Sequence, residues 1–131
     1  MKVFITGATG LVGSFICREL LQNGHEIRAV KRATSNLNLL EDLEDKIEWI
    51  DTDVSEAIFW DDHLKGMDAV IHAAAVISFD KRWEKKMYKT NVRGTADLIN
   101  TVLRSDVKQF LHLSSVAAIG RQPEQNTVSE K

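Results

Sequence analysis

Three glycines set three residues apart, Gly7, Gly10 and Gly13, occupy the run Thr-Gly-Ala-Thr-Gly-Leu-Val-Gly at residues 6–13, the part of this chain best suited to chemistry. They follow a short β-branched and aromatic run, Lys2–Thr6, and precede apolar positions at helical spacing, so they fall where a strand passes into a helix. Glycine at such a junction lets the backbone turn sharply and approach a ligand with no Cβ in the way. The first amides of the helix, near Leu11 and Val12, lack partners inside it and carry the positive end of its dipole. Turns and tight helix–strand packing also select glycine. The strand–turn–helix context is what points to a dinucleotide, with Gly7, Thr9, Gly10, Leu11, Val12 and Gly13 around its pyrophosphate.

The elements that must position this turn alternate along the chain. Strands are expected at Lys2–Thr6, Glu26–Lys31, Ile47–Asp51, Ala69–His72 and residues 109–114. A helix should start at Leu11, with Val12, Phe15, Ile16, Leu20 and Leu21 on its apolar side and Asn23-Gly24 as its stop. A weak helical stretch is expected at residues 37–43 and a long helix at residues 84–104, with Met87, Asn91, Leu98, Ile99, Val102 and Leu103 on one face. Strands that keep returning after helices predict an α/β doubly wound, Rossmann-type parallel sheet of order 3-2-1-4-5, in one domain over residues 1–120. Residues 121–131 are polar, hold the one proline, Pro123, and read as a loop or frayed end.

Composition narrows the function classes. Against 19 acidic residues stand 17 basic ones, a formal net charge of −2 in 131 residues, which gives no general attraction to nucleic acid or an anionic membrane. No apolar run approaches a membrane span, and the chain opens straight into a strand pattern, so a cytoplasmic protein is expected. One cysteine, Cys17, on the buried side of the first helix, fits a structural role in a reducing compartment. None of the four histidines has ligand spacing to it, and no metal site is expected. Lys81, Arg82, Lys85, Lys86 and Lys89 read as a solvated helix face, and Trp49, Trp60 and Trp83 lie too far apart for a stacking platform.

Residues 6–13 together with Asp53-Val54, His72-Ala73-Ala74-Ala75, Asn91-Val92-Arg93-Gly94-Thr95 and Ser114-Ser115, in that order, resemble the extended short-chain dehydrogenase/reductase family over the whole chain. Phrases at residues 31–37 and 74–80 look most like its dihydroflavonol-reductase-like and sterol-dehydrogenase-like branches. The resemblance implies that Asp53 accepts a hydrogen bond from the adenine amine, aided by the backbone of Val54. It also implies that Ala73, Ala74 and Ala75 pass close to the ribose and nicotinamide, that Asn91 bridges backbone groups near the cofactor, and that Ser115 is the catalytic serine that bonds a substrate oxygen. His72 reads as a core or strand-end histidine in preference to a catalytic base.

Two departures carry consequences. Where NAD-preferring relatives carry an acid for the ribose 2′-hydroxyl, this chain has Lys31-Arg32. With Ser35, these cations suit a 2′-phosphate, so NADP(H) is the expected cofactor and NAD(H) the other candidate. The family's tyrosine, with a lysine four residues later, has no counterpart, since the one tyrosine, Tyr88, is followed by Val92. The chain is therefore expected to be the N-terminal part of a longer reductase, epimerase or dehydratase, inactive alone, with a fifth strand whose apolar edge awaits a sixth. A small carbonyl, hydroxyl or sugar-nucleotide substrate and a homodimer of the parent protein are implied. A non-catalytic sensor of the dinucleotide redox state is the alternative.

Overall fold

The computed structural model describes residues 1–120, so the expectation for residues 121–131 lies outside the described residues. Five parallel strands, β1 (Lys2–Thr6), β2 (Glu26–Lys31), β3 (Ile47–Asp51), β4 (Ala69–His72) and β5 (Gln109–His112), form one sheet in the order β3-β2-β1-β4-β5. The first four match the sequence expectation; β5 ends two residues sooner than residues 109–114.

Period-two alternation divides the core. Val3 and Ile5 of β1 point to one side, packing with Ile27, Ile47, Ile71 and Cys17 of helix α1 (Leu11–Gln22). Phe4 and Val70 point to the other, against Trp60, Leu64, Leu98 and Val102. Phe4 and Trp60 meet with ring centroids 5.6 Å apart at a tilt of 58°, and the Trp60 indole N–H donates to the Thr52 hydroxyl at 3.2 Å. The inner strands β2, β1 and β4 carry buried residues on both faces, as a parallel sheet requires.

Three expectations need correction. Residues 37–43 form no α-helix: short 3-10 turns at Asn38–Leu40 and Glu44–Lys46 cross from β2 to β3, and Leu40 alone of that stretch is fully buried. The long helix is composite, with a 3-10 turn at Lys81–Trp83, α2 (Glu84–Met87), a π segment (Tyr88–Gly94) and α3 (Thr95–Leu103). Leu98 and Val102 face inward as expected, but Leu103 is 77% exposed while Thr101, a polar residue, is fully buried. Its hydroxyl contacts the Ala57 and Asp97 carbonyl oxygens, each at 2.9 Å, which is why burial costs it little. In α1, Val12 and Phe15 are exposed, and the inward side is Gly13, Ser14 and Cys17 with half-buried Ile16, Leu20 and Leu21.

β1 and β4 are adjacent although α1, β2 and β3 lie between them in sequence. The chain winds outward to β3, returns to β4 and winds outward the other way, and a crevice opens at the carboxyl ends where the direction reverses. β5 forms the opposite edge of the described sheet, with Leu111 exposed. No helix among the described residues is long and apolar enough to cross a membrane.

Candidate functional site

The turn between β1 and α1 is built by close approach. Gly7 has φ +75°, and a Cβ there would lie 2.6 Å from the backbone of Ala73 and Ala74, so the turn rests directly on the end of β4. A Cβ on Gly13 would lie 2.0 Å from the Gly7 carbonyl oxygen. Gly10 differs from both: it is exposed, and its nearest outside atom would be 3.4 Å from an added Cβ. Gly10 occupies the cap position of α1 with no side-chain cap and no acidic residue in the first turn. Its carbonyl accepts from the Ser14 amide at 2.9 Å, while the amides of Leu11, Val12 and Gly13 have no acceptor among the described residues. Three bare N–H groups at an uncapped helix start suit an anion.

Beside this turn lies a cleft of about 350 Å³. Gly7, Thr9 and Gly10 form one wall and Ala73, Ala74 and Ala75 another. Lys31, Arg32 and Ser35 approach from the end of β2, and Asp53 and Val54 from the end of β3. Leu11, Val12, Gly13, Asn91 and Ser115 stand outside the lining. Val30, Thr52, Val76 and Thr90 line the cleft without having been singled out in the sequence as site residues. Thr90 sits beside Asn91 in the family-like stretch, the one signal that could have found it.

The charges at the β2 end are unequal. The Lys31 ammonium is 2.6 Å from the Asp51 carboxylate, its neighbour across the sheet, whereas the Arg32 guanidinium enters no ion pair among the described residues. Ser35 accepts a hydrogen bond from the Arg32 amide at 3.0 Å, which leaves its hydroxyl hydrogen available. Asp53 caps the 3-10 turn Val54–Phe59 by accepting from the Ser55 amide at 2.9 Å. Burial by itself would raise its carboxyl, but Ser55 and the positive charges of Arg32 and Lys86 outweigh that and hold it below the usual range. The lysines and arginine at residues 81–89 are exposed, and Lys86 lies over the Trp83 ring at 4.8 Å.

Behind the alanine wall, His72 is fully buried with both ring nitrogens bonded: Nδ1 to the Thr6 hydroxyl at 2.6 Å and Nε2 to the Thr95 hydroxyl at 2.8 Å. Burial, reinforced by His112 stacked at 5.2 Å, pushes its pKa down to about 4. Asn91 accepts from the Val76 amide and donates to the Val76 carbonyl, both at 2.8 Å. Ser115 is exposed and caps the turn Val116–Ile119, its hydroxyl oxygen accepting from the Ala117 amide at 3.2 Å. Burial pushes the Cys17 thiol up to about 12, consistent with an inert core residue. Among the described residues no group of three His, Cys, Asp or Glu could hold a metal ion.

A doubly wound parallel sheet with an uncapped glycine turn at its switch point defines a Rossmann-type nucleotide-binding domain. Residues 3–131 match the model of the NAD dependent epimerase/dehydratase family, and the chain belongs to that family. Among its relatives, sterol demethylase protein B of Methylococcus capsulatus is 32% identical over 95% of this chain and 37% of that protein. A UDP-glucose 4-epimerase of Klebsiella pneumoniae is 32% identical over 94% of this chain and 95% of that protein. The solved structure of the Bordetella bronchiseptica enzyme WbmH in complex with NAD+ superposes with TM-score 0.80 at 25% identity, covering 95% of this chain and 42% of that one. The chain thus spans little more than a third of one curated relative and nearly all of the other.

Proposed function

We propose that this chain binds NADP(H) in preference to NAD(H) and forms the cofactor-holding part of a reductase, epimerase or dehydratase. The substrate class is a small carbonyl, hydroxyl or sugar-nucleotide compound. The observation that carries the reading is the acid-free, uncapped start of α1 opening beside a cleft that ends in Arg32 and Ser35.

The donor set fits a dinucleotide. The amides of Leu11, Val12 and Gly13 hold the diphosphate. Asp53, kept ionised, accepts from the adenine amine. Arg32 pairs with the 2′-phosphate and stacks on adenine, and Ser35 donates its free hydroxyl hydrogen to the same phosphate. Lys31 has a lesser part than its sequence position implies, because Asp51 already balances its charge. Ala73, Ala74 and Ala75 admit the ribose and nicotinamide, and Ser115 bonds the substrate oxygen. The dinucleotide, when bound, supplies the hydride donor or acceptor. With Val92 four residues after the one tyrosine, these 131 residues are read as binding cofactor without turning over.

Titration of the chain with NADPH and NADH tests the reading. Tighter binding of NADPH is expected, and Arg32→Ala should lower that affinity about tenfold or more while changing NADH binding little. Equal affinities would remove the preference; binding of neither would remove the function. The second reading, a redox sensor without chemistry, draws on Ser115 standing outside the cleft lining, and hydride transfer by a longer protein containing this chain would exclude it.

A further inference from the structure

We propose that His72 is a positioning residue: held as a neutral ring between Thr6 and Thr95, it fixes the backbone of residues 74–76 in place as a wall of the cleft.

The hydrogen positions follow from the contacts. The Thr95 hydroxyl donates to the Asn91 main-chain carbonyl oxygen at 2.9 Å, so toward His72 it can only accept, and Nε2 carries the ring proton. Nδ1 is then bare and accepts from the Thr6 hydroxyl at 2.6 Å. The Thr6 oxygen in turn accepts from the Ala74 amide at 3.3 Å. At the other end, Asn91 clasps both backbone groups of Val76 at 2.8 Å. One directional chain thus runs from Ala74 through Thr6, His72 and Thr95 to the backbone of Asn91, whose side chain grips Val76.

Ala74 and Val76 both line the cleft, and this chain suspends them from two separate elements, the end of β1 and the helical stretch across the π segment. π turns recur where a helix must place side chains off the regular ladder, and this one carries Asn91. A neutral relay suits the position, because Thr6 and Thr95 offer no countercharge and His112, packed on the ring from β5, is the titratable group that faces it. The hold on residues 74–76 stands on these contacts; its value for cofactor binding rests on the function proposed above.

The test compares Thr95→Val with Thr95→Ser in the full chain. Nitrogen-detected NMR of the unmodified protein should show His72 protonated at Nε2 at neutral pH, and a ring protonated at Nδ1 would overturn the proposal. Thr95→Val should speed amide exchange at Ala74 and Val76 about tenfold over Phe4 and Ala29, with Thr95→Ser close to the unmodified rate. Uniform acceleration, or none, would overturn it by showing a role confined to general packing. NADPH affinity should fall several-fold in Thr95→Val and recover in Thr95→Ser. Should the unmodified chain bind no dinucleotide, the functional reading fails, while the ring proton and the exchange rates still judge the hold on residues 74–76. A Thr95→Val chain that fails to fold leaves the ring measurement decisive.

Discussion

Two walls of the cleft are made rigid in opposite ways. The turn after β1 is held by what its residues lack: Gly7 and Gly13 let backbone lie against backbone, so the bare amides are aimed by steric fit. The wall after β4 is held by what lies behind it, a relay of Thr6, His72, Thr95 and Asn91 side chains that grips a backbone with little side chain of its own. The first kind of rigidity fails abruptly when an atom is added. The second weakens one hydrogen bond at a time.

The largest effect should therefore come from Gly13→Ala. Its Cβ would stand 2.0 Å from the Gly7 carbonyl oxygen, a backbone atom that cannot swing aside. Loss of about 4 kcal/mol or more in denaturant unfolding, or failure to fold, is expected; a loss under about 1 kcal/mol would mean that the turn yields and the contrast is false.

Next in size is the response to pH. The folded His72 pKa of about 4 lies below the ordinary 6.5, so protonation favours the unfolded chain. The stability from this group is complete above about pH 6.5 and is lost as pH falls to about 4, by roughly 3 kcal/mol across that interval. Asp42, Asp53, Asp62 and Asp80 titrate below the usual carboxylate value of 3.8, so their losses begin only at the foot of this window, from about pH 5, and grow below it. Unfolding midpoints measured from pH 7.5 to 4 should fall steadily, and His72→Gln should flatten the curve; equal slopes in both proteins would assign the loss elsewhere.

The smallest effect sharpens the comparison from within the glycines. A Cβ on Gly94 would meet Val54 Cγ1 at 2.8 Å and the Val54 carbonyl oxygen at 3.0 Å, the nearer of these being the tip of a side chain. Gly94→Ala should cost about 1–2 kcal/mol by thermal unfolding and leave the protein folded. A cost equal to that of Gly13→Ala would show that both glycines work by backbone collision.

The same contrast explains what could be read in advance. β1 and β4 announce themselves because buried parallel strands need β-branched and apolar runs, β2 and β3 only by shorter runs broken by Arg28 and Glu48, and the turn announces itself because glycine tolerates such contact. The hydroxyl relay gives no such signal. Nothing in the types of Thr6, Thr95 and Thr101 names their partners, His72 for the first two and Ala57 for the third, each tens of positions away. Regular helical spacing also misled at residues 84–104, where it favoured the exposed Leu103 over the buried Thr101. Lys31 shows the limit for charges: its type and place suggested an anion partner, and the cross-strand neighbour Asp51 had already taken it.

The contact between Thr6 and His72 spans 66 positions of sequence. During folding, the two strands that floor the crevice can meet only after a long intervening segment has been drawn in, a costly loop to close and a slow kind of pairing. The crevice is thus assembled from some of the least local contacts in the chain, and a guest that bridges both strands would stabilise the step that comes hardest.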